Sequence, residues 1–516
     1  MAEEKKSRLY IFKPLIERWP AVTKPEGHVN FRTKILCTLL CLILYYILTN
    51  VTIYGLSSDV VDLFSSYRFI MAGASGSIMH LGIGPIVTAS IILQLFVGAK
   101  IINLDLTKKE DKAIYQGFQK VLVIIMIFVE AIPQIFGYLR PNEAFIGMVG
   151  GDWANTIIVL QLVLGALLVF FMDELISKWG IGSGISLFIA AGVSQAIFTG
   201  LFNWLPIGAG ELSLQNPPAG VIPGTYYYVT NTNLGDITSW SYETIFIGNN
   251  RIGYQNAIVP LIGTILIFLI VVYAESTRIE LPLAHGGVRG ARGRYPIRLI
   301  YASTIPVILM AALLANINMF ALLLYQSDIM FLGHQWWIGL YPTDPATGQL
   351  LTTTATGGGA WYLSSPSGIS NWLIPIMQGG DGMHSALQYS LRVIIYISVL
   401  IIGSILFAKF WIETTDMGPS AVARQIQSSG MQIPGFRRDP RVLKKVLERY
   451  IPVVTVIGGA TVGALAGFAD LIGTVGNASG TGLLLTVGII IHLYEDIAKE
   501  QAMEMHPILR GFFGNE

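Results

Sequence analysis

Long apolar runs, broken by short polar stretches, set the pattern of this chain. A membrane-spanning helix needs about 20 mostly apolar residues. Runs that meet or nearly meet this are residues 34–54, 83–99, 117–139, 155–172, 184–204, 255–274, 299–324, 388–411, 450–473 and 480–494. They predict an all-α polytopic protein with ten spans. The second and tenth runs are short and contain glycine, which predicts broken or cavity-lining helices. Between the first two spans, residues 57–70 (SSDVVDLFSSYRFI) open on a Ser/Asp capping signal and place Val60, Val61, Phe64 and Tyr67 at helical spacing. This segment is too short to span and too polar for lipid. Gly73, Gly76, Gly82, Gly84 and Pro85 then interrupt regular helix in residues 71–90. Non-helical backbone at membrane depth is tolerated only inside protein or beside a water-filled cavity. A half-inserted helix, a glycine hinge and a resumed span therefore predict a cavity. A helix lying flat in the membrane interface is the alternative at this point.

Composition agrees with the pattern. The chain has 53% hydrophobic and only 13% charged residues, with mean hydropathy +0.59. Soluble domains average about 25% charged, so there is too little charge to coat a soluble core of this size. Net charge is uninformative, but its distribution is not. With the N-terminus inside, the alternating loops place all but four of the 33 Lys and Arg on the inner side; Arg68, Arg140, Arg251 and Arg392 fall outside. The positive-inside rule therefore predicts ten spans with both termini cytosolic. Residues 1–30 are polar and contain proline, so the first apolar helix is expected to serve as an uncleaved insertion signal. Cys37 and Cys41 lie four apart in one apolar run and read as small apolar residues, with neither disulfide nor zinc geometry. Two outer loops are long, 205–254 and 325–387. Their Gly, Pro, aromatic, Ser and Thr content predicts compact extracytoplasmic elaborations with short β-hairpins such as residues 225–230.

Enzyme chemistry is missing from the sequence. There is no P-loop, H-E-x-x-H, nucleophile elbow or dinucleotide fingerprint, and the seven histidines are scattered. No catalytic residue, metal or cofactor is expected. Ion-coupled transporters usually carry ionisable groups near the midplane, and only Glu130 and Asp470 qualify. Glu130 reads either as a proton or ion site or as a capped or snorkelling carboxylate. Otherwise the mid-membrane helices hold Ile, Val, Leu and small residues, so a pathway here would be apolar at its waist. Two inner loops stand out. LAHGGVRGARGRYPIR (283–298) alternates arginine with glycine and has no acid, and RQIQSSGMQIPGFRRDPRVLKKVLER (424–449) is long and basic. Glycine-hinged arginines suit phosphate-rich RNA or an acidic partner; ordinary orientation charge or anionic-lipid contact accounts for them equally well.

Several long motifs resemble one family. LGIGPIVTASIILQLFVGAKII (81–102), YQGFQK (115–120), KWGIGSGISLFIAAGVSQ (178–195), YAESTRIELPLAHG (273–286), YPIRLIYASTIPVIL (295–309) and GTGLLLTV (480–487) look like the SecY family, in its archaeal/eukaryotic-type branch. The similarity runs over essentially all ten spans; the long outer loops depart from the compact family pattern. The resemblance implies an hourglass channel with a 1–33 cytosolic segment, a first half 34–204, a hinge region 205–254, a second half 255–498 and a cytosolic tail 499–516. By motif, the apolar pore ring maps onto Ile83, Val87, Ile185, Ile189, Ile308 and Leu485. The plug maps onto 57–72, with Val60, Val61, Leu63, Phe64, Tyr67 and Ile70. The lateral gate lies between spans two and seven, with span three contributing, and Thr88, Glu130 and Asn316 match its polar cluster, which gives Glu130 a structural role. Arg289, Arg292, Arg294, Arg437 and Arg438 map to ribosome docking. The implied function is passive conduction of unfolded secretory polypeptides across the cell membrane, with transmembrane segments released sideways into lipid. The implied partners are a SecE/γ-type subunit, a small β-type subunit, the ribosome with its nascent chain, signal sequences and membrane lipids. A secondary solute transporter lacks its charged midplane site here, and a membrane-integrated insertase or enzyme lacks a catalytic constellation.

Overall fold

The computed structural model describes residues 8–18, 21–27, 29–57, 72–99, 101–102, 104, 106, 108–137, 139–207, 210–214, 216–231, 246, 257–285, 292–300, 304–326, 335–343, 354–415, 417–428, 431–432 and 440–505. Ten helices carry the apolar runs: α1 (Phe31–Thr49), α2 (Gly84–Gly98), α3 (Lys109–Gly137), α4 (Gly151–Trp179), α5 (Gly184–Phe202), α6 (Ile258–Ser276), α7 (Ile305–Gln326), α8 (Ala386–Thr414), α9 (Pro440–Ile472) and α10 (Gly480–Met505). Among the described residues, nine of these are long and apolar enough to cross a membrane, and α2, at 15 residues, is the shorter tenth. Their outward faces fit lipid. On α8, Leu387, Leu391, Ile394, Ile402 and Leu406 are exposed at helical spacing.

The shortness of α2 has a physical cause. It begins at Gly84 with Pro85 in its first turn, where a missing N–H costs nothing. The remaining depth is filled by irregular chain, in which Ala72, Met79, His80, Leu81 and Ile83 are all buried. That backbone is paired inside the protein: Ile53 N–H donates to Gly76 O and Ile78 N–H to Val51 O, each at 2.9 Å. This is the arrangement in which non-helical backbone survives at membrane depth.

Two sequence expectations are corrected. The tenth span is not short: α10 runs for 26 residues, because its polar second half (His492, Glu495, Asp496, Lys499) stays helical past the apolar run. Residues 225–230 form no hairpin but lie in the helix Val221–Asn231. Aromatic and β-branched residues favour strands only as far as their packing allows. Here tertiary contacts decide: Tyr228 is buried and its hydroxyl donates to Leu214 O at 3.0 Å.

The helices pack in two groups. In the first, α2 packs on α3, α3 on α4, and α4 and α5 on α1; in the second, α8 and α10 pack on α9, α7 on α8 and α6 on α10. The groups meet along two seams, α2 and α3 against α7 and α8 on one side, and α1 and α5 against α10 on the other. One apolar core runs through both groups.

The basic ends converge. Lys34 of α1 pairs with Glu500 of α10 at 2.6 Å, and Lys120 of α3 and Lys178 of α4 both pair with Glu174. Glu174 also accepts from the Val22 backbone N–H at 3.2 Å, so the N-terminal segment lies at this end too. Between α6 and α7 the chain forms an antiparallel hairpin of β1 (Arg278–His285) and β2 (Arg292–Arg298), to which β3 (Met431–Gln432) adds through Ala284 and His285. This small sheet is not legible in the sequence pattern, and it joins the two basic loops at their roots.

Candidate functional site

The candidate site draws on helix starts from both groups. Gly82, with φ +54°, turns the irregular chain into α2 and sets Ile83 and Val87 facing inward. Helix α5 starts at Gly184, held where Ile185 N–H donates to Asp173 Oδ1 of α4 at 2.9 Å. Its first turns carry Ile185 and Ile189. Ile308 comes from the first turn of α7 and Leu485 from the second turn of α10. Five of these six residues, Ile83, Val87, Ile189, Ile308 and Leu485, are buried. Ile185 is half-buried and packs on the same apolar cluster. All six come from the starts of four helices, α2, α5, α7 and α10. Aliphatic side chains offer an ion no ligand to replace its water.

Three polar residues from three helices meet in the otherwise apolar seam. The Thr88 hydroxyl of α2 lies 2.7 Å from Glu130 Oε1 of α3 and 2.9 Å from Gly84 O, and it accepts from Asn316 Nδ2 of α7 at 3.0 Å. Asn316 also donates to Ala312 O at 2.9 Å. All three side chains are buried. Buried polar groups are favourable only when paired, so the cluster ties α2, α3 and α7 together while the seam is closed. Glu130 faces hydroxyl and apolar neighbours rather than an ion cage. Among the described residues no group of three or more His, Cys, Asp or Glu could hold a metal.

Asp470, the other midplane candidate, is fully engaged. It accepts from Tyr396 of α8 at 2.7 Å, from Thr481 N–H at 3.0 Å and from the Thr481 hydroxyl at 2.8 Å. It joins α8, α9 and the start of α10. Residues Val60, Val61, Leu63, Phe64, Tyr67 and Ile70 lie outside the described residues, as do Arg289, Arg437 and Arg438; Arg292 and Arg294 lie on β2.

Two contributors carry no distinctive signal in the sequence. Tyr45 of α1 is buried, stacks on Phe188 of α5 with centroids 4.9 Å apart, and donates to Ala72 O at 2.9 Å. It therefore holds the chain at Ala72 against α1 and α5, yet in the sequence it is one aromatic in a long apolar run. Arg392, one of the four outer basic residues, is buried on α8, donates to Ser364 Oγ at 3.0 Å and lies 4.6 Å over the Trp361 ring. It fastens the outer loop to the bundle through a cation–π contact.

Comparisons with known proteins agree on one family. The family model described as SecY matches residues 77–494, and the plug domain of Sec61p matches residues 43–76. The protein translocase subunit SecY of Haloferax volcanii is 47% identical over 515 residues, covering 98% of this chain and 99% of the relative. That of Archaeoglobus fulgidus is 44% identical, with 98% of each covered. A solved structure described as a protein-conducting channel superposes with TM-score 0.74 at 37% identity, covering 96% of this chain and 98% of the other. Sec61 in a canine ribosome–channel complex from the endoplasmic reticulum gives TM-score 0.72 at 37% identity with the same coverage. Matched by the family model over residues 77–494 and by a relative 47% identical over 98% of its length, this multi-pass membrane chain belongs to the SecY family of protein translocase subunits.

Proposed function

We propose that this chain forms a passive protein-conducting pore, in which unfolded secretory polypeptides thread the apolar waist and transmembrane segments leave through the seam of α2 and α3 against α7 and α8. What supports this reading is that six aliphatic side chains from four helix starts, which match the family's pore ring by motif, belong to or pack on one apolar core spanning both helix groups, while the Thr88–Glu130–Asn316 bonds link α2, α3 and α7. Branched aliphatic residues exclude hydrated ions yet move aside for a chain, and apolar segments prefer lipid to a wet pore. Nothing in this requires catalysis.

The working halves are residues 34–204 and 255–498, joined at 205–254. In the orientation that fits the basic residues, both termini and the α6–α7 and α8–α9 loops face the cytosol of a plasma membrane. The loops with Arg289, Arg292, Arg294, Arg437 and Arg438 receive the ribosome, whose phosphates their charge matches. A SecE/γ-type helix and a small β-type subunit complete the complex, and signal sequences and lipid meet at the gate. Support for the ribosome comes from the similar Sec61 chain of the canine ribosome–channel complex.

Residues 60–71 seal the outer funnel in this reading. Deleting them should raise the resting ion conductance of the complex in planar bilayers several-fold. An unchanged conductance would remove the plug assignment.

A further inference from the structure

At the basic end, α6 runs into β1 and β2 leads back towards α7, so any displacement of the hairpin passes through its root. Arg298, the last residue of β2, donates from Nη2 to Glu495 Oε2 on α10 at 2.5 Å, and its Nη1 lies 3.3 Å from His492 Nδ1. In register it stands opposite Arg278, so like charges face each other across the root. Glu275, next to last in α6, is 3% exposed, and neither of its carboxylate oxygens has a hydrogen-bond partner among the described residues. Arg298 and Glu495 are the charged groups whose fields reach it. A Cβ on Gly488 of α10 would stand 3.0 Å from Glu275 Oε1 and from Thr304 Cγ2. The carboxylate therefore lies against bare α10 backbone, between Leu485 of the waist and His492.

A buried carboxylate without a donor is unfavourable in this state, and a second state that pairs it would relieve that cost. Arg298 is the cation that can supply that state, because it already sits between Glu495 and the end of α6. We propose that Arg298 is a two-position positioning residue: it pairs with Glu495 while the hairpin rests and transfers to Glu275 when the hairpin is displaced, freeing the far end of α10 and shifting α6 against Gly488. Leu485 lies one turn along α10 from that contact, so the transfer reaches the waist through a single helix. This rests on the reading of the α6–α7 hairpin as the ribosome-docking surface.

The test uses the full complex with its small subunits in planar bilayers, with stalled ribosome–nascent-chain complexes carrying a signal sequence as the probe. Ribosome affinity and conductance at saturating ribosome are measured separately. Arg298→Gln and Glu275→Gln should each leave affinity within about twofold and cut ribosome-triggered opening about fivefold. The Glu275 effect is the decisive one, since a purely static Arg298–Glu495 bridge gives Glu275 no part. Glu275→Gln should also melt at or above the temperature of the unmodified protein, because it removes a buried charge with no donor. Normal opening in either variant overturns the proposal, and so does a lower melting temperature for Glu275→Gln, which would mean a donor already at rest. Absence of salt-sensitive ribosome affinity in the unmodified complex would instead overturn the docking reading and the proposal with it.

Discussion

Thr88 shows how much a single hydroxyl can organise. It is the shared partner of Glu130 and Asn316, so three helices of the seam depend on one small side chain. Thr88→Val keeps the shape but leaves both partners buried without it, which should cost about 1–3 kcal/mol. The purified protein should melt a few degrees lower, and weaker signal sequences should open the gate; an unchanged melting temperature would mean that Thr88 is dispensable. Asp470 is a second such point. Asp470→Ala removes the acceptor of Tyr396 and of two Thr481 donors, and should cost about 3 kcal/mol, read as a loss of folded yield or melting temperature. Neither role follows from residue type alone. In the sequence Glu130 reads as an ion site or a structural carboxylate and Asp470 as a second midplane candidate; it is the partners the fold brings to them, Thr88 for the one and Tyr396 and Thr481 for the other, that decide for structure.

At the scale of elements, periodicity located the spans because lipid demands uninterrupted apolar length. It failed where local chemistry and packing diverge. The polar half of α10 has no hydropathy signal yet remains helical, and the aromatic run at 225–230 follows its tertiary contacts rather than its β-propensity. The three-stranded sheet could not be read because β3 is only two residues long and pairs across more than a hundred residues. That sheet matters for function, since it makes one unit of the roots of both basic loops. Arg289→Glu combined with Arg437→Glu should therefore weaken ribosome binding in co-sedimentation at least tenfold, with the loss diminishing as salt screens the contact. Equal binding by the double variant would return these loops to lipid contact or simple orientation charge.

For the whole molecule, the separation of basic and apolar surfaces has one organisation. Basic helix ends gather on one side, tied by Lys34–Glu500, the Glu174 pairs and Arg298–Glu495. The proposed waist draws on helix starts within, and among the described residues the seam of α2 against α7 carries the Thr88–Asn316 bond. The spans were legible because apolar length is a long-range property of the chain. The pore ring is proposed through motif resemblance alone, since its residues are the same Ile, Val and Leu that face lipid elsewhere. A photoreactive probe at Ile185, half-buried at the waist, tests the channel most directly when a stalled nascent chain is engaged. Crosslinks from Ile185 to the nascent chain, with none from lipid-facing Ile394 or Ile402, are the predicted result. Labelling at Ile394 and Ile402 alone would contradict a pore through the waist.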